Sequence, residues 1–281
     1  MAGVKRALAA AVLATMTLAA PHLQAETPWV VYYADKEPVS AFEPYKLVVL
    51  DSEHHPPLRP LKERGKTLLG YISLGEVESH RPWYGTVQGW GILSAENPNW
   101  PGSFYVDVRD KRWTEMVVAE LVPALLRKGF DGVFLDTLDN PPHLERTDPK
   151  AYAGMTEAAA RLVKAIRRHH PGIRIMQNRG YELLPQTAGV IDYALGESVT
   201  AGWEFAAGKP HRQPPDDTAF QVEALTAAKR ANPALEVMTL DYWDPNDAAG
   251  VAALYATERA RGFSPYVSTV ELDRVVREPK P

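Results

Sequence analysis

The chain has 281 residues, 45% hydrophobic and 23% charged, with a formal net charge of −4 and no cysteine. That length suits one large single-core domain and is short for two. A mildly acidic balance without any basic run argues against a nucleic-acid groove, and the lack of cysteine leaves no disulfide framework and no lipoprotein attachment site.

Lys5 and Arg6 precede an alanine-rich apolar run, Ala7 to Ala20, which leads to Leu23-Gln24-Ala25 with a small residue last. This pattern predicts a secretory signal peptide over residues 1–25 and a secreted or periplasmic domain over 26–281. No later segment is long and apolar enough to be a membrane helix, so no membrane partner is expected once the leader is removed. The domain is expected to be a monomer without a cofactor.

Short apolar runs then alternate with segments of helical period, and acidic or amide side chains recur where the runs end. Val30-Val31-Tyr32-Tyr33 leads to Asp35, Leu47 to Leu50 leads to Asp51 and Glu53, and Leu68 to Ser73 leads to Glu76. A long excursion rich in Gly, Pro and Trp follows, Glu76 to Asp110, within which Phe104 to Val108 alternates like a short extra strand. Trp113 to Lys128 reads as an amphipathic helix stopped by Gly129. Gly132-Val133-Phe134-Leu135 leads to Asp136. Pro141-Pro142 is expected to delay the next helix, which runs from Pro149 to His169. Ile173 to Met176 leads to Gln177 and Asn178, and Val190 to Leu195 to Glu197. A three-proline stretch, Gly208 to Asp217, reads as a rim loop before a helix over Thr218 to Ala231. Glu236 to Leu240 then leads to Asp241 and Tyr242. A last helix, Pro245 to Arg261, precedes Phe263 to Val267 and Ser268.

Eight strands, each followed by a helical or partly helical connection, predict an α/β fold: one (β/α)8 barrel with a long insertion after the third strand. The alternative, an open doubly wound sheet, is expected to carry a glycine-rich phosphate turn after its first strand. Tyr33-Ala34-Asp35-Lys36-Glu37 is nothing like one.

In a parallel barrel the strand ends share one rim, where chemistry is found. A carboxylate-lined rim suits carbohydrate, and two carboxylates can divide the work of glycoside hydrolysis, one protonated and one ionised. Asp136 and Glu197 are the candidate catalytic pair. Asp131 and Asp192 lie where their strands begin and read as structural. Asp139 reads as a helix cap or a support to the pair. Tyr33, Asp35, Asp51, Glu76, Asp139, Asn178, Asp241 and Tyr242 are candidate substrate-binding residues, with Glu76 foremost for contact. Trp83, Trp90 and Trp100 are candidate stacking or packing aromatics. Two other readings have their own requirements. A metal-dependent polysaccharide deacetylase would need Asp and His to converge near His54-His55, which lack metal-ligand spacing. A carbohydrate-binding barrel without turnover would share most of the cup.

Gly70-Tyr71-Ile72-Ser73-Leu74-Gly75-Glu76, Gly129 to Asp136, Gln177-Asn178, Gly196-Glu197-Ser198 and Gly262-Phe263-Ser264-Pro265-Tyr266 together resemble glycoside hydrolase family 114, the endo-α-1,4-polygalactosaminidases and related hydrolases. Tyr32-Tyr33-Ala34-Asp35 and Val49-Leu50-Asp51 are similar to the hydrolase domain that opens proteins processing Pel, a galactosamine-rich biofilm polysaccharide. The resemblance implies a (β/α)8 barrel acting within chains of α-1,4-linked galactosamine or N-acetylgalactosamine, with a galactosamine-containing polysaccharide as partner. It also implies a catalytic Asp after the fourth strand and Glu after the sixth, matching Asp136 as nucleophile and Glu197 as general acid/base, with retention of configuration. Fungal members resemble an Asp-Pro-Asp-Asn pattern after the fourth strand, whereas Asp136-Thr137-Leu138-Asp139-Asn140 spreads those acids. Asp139 therefore stands as the alternative nucleophile.

Overall fold

Eight apolar segments pair side by side in chain order to make the central sheet: β1 Trp29–Tyr32, β2 Leu47–Leu50, β3 Thr67–Ser73, β4 Gly132–Asp136, β5 Arg174–Asn178, β6 Tyr193–Glu197, β7 Glu236–Tyr242 and β8 Ser264–Ser268. The structure, a computed structural model, describes residues 26–279, so the leader expected over 1–25 lies outside the described residues. Every ladder between consecutive strands is parallel. Strands of this kind are covered on both faces, which is why β1, β2 and β8 are buried along their whole length. The sheet curls into a (β/α)8 barrel. Side chains close the seam where β8 returns to β1: Trp29 Nε1 donates to the Ser264 carbonyl at 2.9 Å and its ring meets Tyr266 edge-on at 5.7 Å.

The outer layer follows the predicted periodicity with two adjustments. Residues 111–128 form one helix with a widened turn at Val117–Leu121, ended by Gly129 at φ 115°, a conformation that only glycine adopts without strain. The first adjustment concerns Pro141-Pro142. They begin the helix Asn140–Thr147 rather than delay it, because proline in a first turn gives up no helical hydrogen bond. The second is that the helix expected from Pro149 starts at Met155. It runs to His169 and buries Met155, Ala159, Leu162, Val163 and Ile166 along one face. Helices Pro215–Ala231 and Ala248–Ala260 cover β6 to β8. Among the described residues no helix is long and apolar enough to cross a membrane.

Two excursions rise from the ends of the barrel strands. After β3, Glu76–Glu78, Ser103–Val106 and Leu93–Glu96 form a three-stranded antiparallel sheet, with Ser103–Val106 central. After β6, Ala201–Glu204 and Lys209–Arg212 pair as a hairpin where a plain rim loop is expected. At the opposite face, Asp131 accepts from the Leu68 amide and pairs with Lys62. Asp192 holds Arg167, Arg174 and the Ile175 amide. Both acids lock strand entrances, in keeping with their expected structural role.

Candidate active site

Asp136, Asn178 and Glu197 are the last residues of β4, β5 and β6, three neighbouring strands. Neighbouring ends bring the three side chains together. The Asn178 side-chain nitrogen donates one hydrogen to Asp136 Oδ1 at 2.8 Å and the other to Glu197 Oε2 at 2.6 Å. Two oxygens tied to one nitrogen at those lengths lie no more than about 5.4 Å apart, within the reach of a retaining pair and short of the wider inverting gap. The amide must face this way, since both neighbours are acceptors. Its own oxygen is left buried without a partner.

The residues that follow these three are all left-handed: Thr137 at φ 61°, Arg179 at 49° and Ser198 at 58°. None is glycine, so each conformation costs on the order of 1 kcal/mol or more. The backbone swings away sharply, and the strand-terminal side chain keeps its aim into the mouth. Neighbouring contacts hold the first of these turns, as Thr137 Oγ1 accepts from the Gly75 amide at 2.7 Å and meets Ser73 Oγ at 2.9 Å. Gly196 makes room for the third: a Cβ there would lie 2.6 Å from Val199 and 2.7 Å from Leu225.

Three phenols complete the cup. Tyr242, at the end of β7, donates to Glu197 Oε1 at 2.7 Å, and Tyr71 is close enough to Asp136 to feel its charge. Tyr33 stands edge-on to Tyr71 at 5.3 Å. Burial, then the charges of Asp136 and Glu197, holds Tyr33 well above the ordinary phenol range, so it stays protonated. Burial, then the charge of Asp136 for Tyr71 and of Glu197 for Tyr242, does the same for these two. Burial first, and the Glu197 charge second, pushes the Asp136 carboxyl up to about 7 against the stabilising bond from Asn178. The Asp136 carboxyl can therefore hold a proton close to neutral pH beside the Glu197 charge.

Other predicted residues are placed differently. Asp241 is adjacent to Tyr242, and successive strand residues face opposite ways. Tyr242 points into the barrel, whereas Asp241 is buried on the outer side against the helix Ala248–Ala260. There it accepts from the amides of Thr200 and Ala201 at 2.8 and 2.7 Å. It does not face the cup. Glu76, expected to meet substrate, is buried and fully engaged by Asn97 at 2.7 Å, Asn140 at 2.6 Å and the Ser103 hydroxyl. It fastens the β3 excursion to the segment after β4. Asp51 is taken up by Arg81 at 3.2 Å and by the amides of Glu53 and His54. Burial works against its charge, but those donors prevail and hold it below the usual carboxylate range. Asp139 pairs with Arg179 at 3.4 Å. Asp35 is exposed, with no hydrogen-bond partner among the described residues. His55 packs its ring on Phe130, and among the described residues no group of three or more His, Cys, Asp or Glu is placed to hold a metal ion.

Sequence reading missed Tyr71, Arg81 and Arg179. Tyr71 looks like a core aromatic inside an apolar strand; its clue is the two-residue step to Ser73, which lies beside Asp136 in the ladder. Arg179 directly follows Asn178. Burial opposes its charge, and Asp139, Glu197 and Asp136 outweigh that opposition and hold its pKa above the ordinary value.

The sequence model described as glycoside-hydrolase family GH114 matches residues 9–280. A Deinococcus radiodurans protein of undescribed role is 30% identical over 249 residues, 83% of this chain and 76% of that one. The glycoside hydrolase domain of PelA from Pseudomonas aeruginosa superposes with a TM-score of 0.78 at 29% identity, over 90% of this chain and 99% of that domain. Aspergillus fumigatus Ega3, solved in complex with galactosamine, superposes with a TM-score of 0.69 over 94% of this chain and 100% of its own. At 14% identity that likeness is one of fold.

Proposed function

The chain belongs to glycoside-hydrolase family GH114, and from that premise we propose that it is an exported hydrolase cleaving within α-1,4-linked galactosamine or N-acetylgalactosamine polysaccharide, with retention of configuration. The observation that carries the reading is the single Asn178 nitrogen shared by Asp136 and Glu197, which supports one glycosidic bond flanked by both acids. In the proposed reaction Glu197 gives its proton to the glycosidic oxygen while Asp136 attacks the anomeric carbon, and the leaving chain departs as an alcohol. Water then adds to the same carbon, losing its proton to Glu197 and releasing Asp136. Tyr242 donates to Glu197 and steadies the carboxylate left once Glu197 has given up its proton, a charge-assisted bond. The acids at the mouth, Asp136, Glu197 and Asp139, give it a field that favours a cationic amino sugar over an acidic one. Export rests on the leader pattern of residues 1–25.

One observation favours exchanging the two roles. Burial and the Glu197 charge raise the Asp136 carboxyl to about 7, which suits an acid. A slowly deglycosylated fluoro-sugar substrate separates the two assignments, since peptide mapping finds the covalent sugar on Asp136 in one and on Glu197 in the other.

The proposal is tested by Asp136→Asn and Glu197→Gln, each assayed for reducing-end release and for retention on a galactosamine polymer. Turnover is expected to collapse in both while binding persists. Normal turnover in either variant would overturn the pair, and a parent that binds such polymers without cleaving any would favour a carbohydrate-binding protein.

A further inference from the structure

Trp100 and Phe205 are 53% and 47% exposed, two of the three large hydrophobic side chains left open on the described surface, and they touch. Their rings meet edge to face, with centroids 5.5 Å apart and planes at 81°. The first lies in the β3 excursion and the second at the tip of the hairpin after β6. Strands β4 and β5 separate β3 from β6 in the barrel. The contact therefore closes an arch beside the arc of rim that carries Asp136 and Asn178.

Both feet of the arch are fixed. The Trp100 amide and carbonyl are tied into the turn, to the Asn97 carbonyl at 3.2 Å and the Ser103 amide at 3.0 Å. Asn97 and Ser103 also hold the buried Glu76, which binds Asn140 just beyond the β4 end. On the other side, Asp241 holds the amides of Thr200 and Ala201, where the hairpin begins, and Arg212 at its far end lies 4.5 Å over the Trp243 ring. Exposed apolar area held on rigid supports is well suited to covering by a ligand. An edge-to-face pair hides only one of its four ring faces, so flat apolar surface remains open.

We propose that Trp100 and Phe205 form a second sugar-binding platform, which stacks a pyranose of the same polymer chain some units away from the cleaved bond. The inference rests on the glycosidase reading and adds that the enzyme selects long chains. A galacto-configured ring fits such a platform well. Its axial 4-hydroxyl leaves the hydrogens of C3, C4 and C5 together on one face, a continuous apolar patch for an aromatic ring. The arch stands outside the carboxylate cup, so it strengthens binding of extended chains and leaves the chemical step alone.

The test compares the parent with Trp100→Ala, Phe205→Ala and Trp100→Phe on galactosamine oligomers of increasing length. With either alanine variant, kcat/KM on the longest chains is expected to fall about tenfold, the order given by uncovering one ring face, through KM rather than kcat. On the shortest cleavable oligomer it is expected to stay unchanged, and Trp100→Phe should recover most of the loss. Equal loss at every length, or no loss at any, overturns the platform. Retardation of an Asp136→Asn background in polymer-containing gels reads the platform without turnover. If the parent cleaves nothing, the hydrolase reading fails. The platform then still stands or falls on whether Trp100→Ala abolishes that retardation. Unchanged thermal unfolding checks that each variant is folded.

Discussion

Replacing Asp241 with Asn is expected to stabilise the protein in alkaline solution and to destabilise it in acid. The Asp241 carboxyl is buried, and its Oδ2 has no partner. Beside it the buried Glu258, paired with Arg261 and Thr200, also keeps an unpartnered oxygen. Burial, then the charge of Glu258, raises Asp241 from 3.8 to about 7, against the pull of the Ala201 and Thr200 amides. A rise of roughly three units at about 1.36 kcal/mol each is on the order of 4 kcal/mol. Between about pH 4 and pH 7 the folded protein keeps a proton that the unfolded chain has released. Stability from this group is thus complete below pH 4, drains away as pH rises, and is gone above pH 7. Asparagine keeps an oxygen for the two amides and offers a donor where Oδ2 was. Allowing about 1–3 kcal/mol for burying the new amide leaves a gain of about 1–3 kcal/mol at pH 8. For a domain of this size that raises Tm by roughly 2–10 °C. Thermal unfolding followed by circular dichroism at pH 4, 6 and 8 measures it. A variant less stable than the parent at pH 8, or equally more stable at pH 4, refutes the reasoning.

Three further outcomes follow from the same geometry. Tyr242→Phe removes a donor to a charged carboxylate, so kcat is expected to fall about 10- to 100-fold with KM nearly constant; steady-state kinetics with an unchanged kcat would contradict this. Glu197→Gln removes the second cause of the raised Asp136 carboxyl, so its titration, followed by carbon NMR, is expected to move below 7 while burial keeps it above an ordinary aspartate. No movement would mean the two acids do not sense one another. Glu76→Ala strands the donors of Asn97, Asn140 and Ser103, and a loss of about 1–3 kcal/mol in urea unfolding is expected, with new protease cleavage in residues 93–103. A variant as stable and as resistant as the parent would deny the clamp.

Reading the chain alone located what depends on strand ends. Asp136, Asn178 and Glu197 were legible because each terminates an apolar run, and parallel strands gather such ends at one rim. Facing was harder to read. Both sides of a barrel strand are buried, so hydrophobic alternation, which marks the inner face of an antiparallel sheet, says nothing about whether Asp241 or Tyr242 points inward. Only registration against β6, which sets Leu240 beside Glu197, fixes it. Occupancy was harder still. Glu76 and Asp51 lie at the rim as expected, yet their oxygens are claimed by Asn97, Asn140, Ser103 and Arg81, residues 21 to 64 positions away along the chain in loops whose paths no periodicity reports. The prolines at 141 and 142 carry the opposite lesson: the same residue that breaks a helix interior begins one.

Proton NMR of the first reducing end released from an α-linked galactosamine oligomer, recorded before mutarotation, tests the shared-bond geometry of Asp136 and Glu197 most directly. Two acids held as close as one amide nitrogen holds them leave no room for a water beneath the sugar, so the α-anomer must appear first. Initial release of the β-anomer would contradict the account.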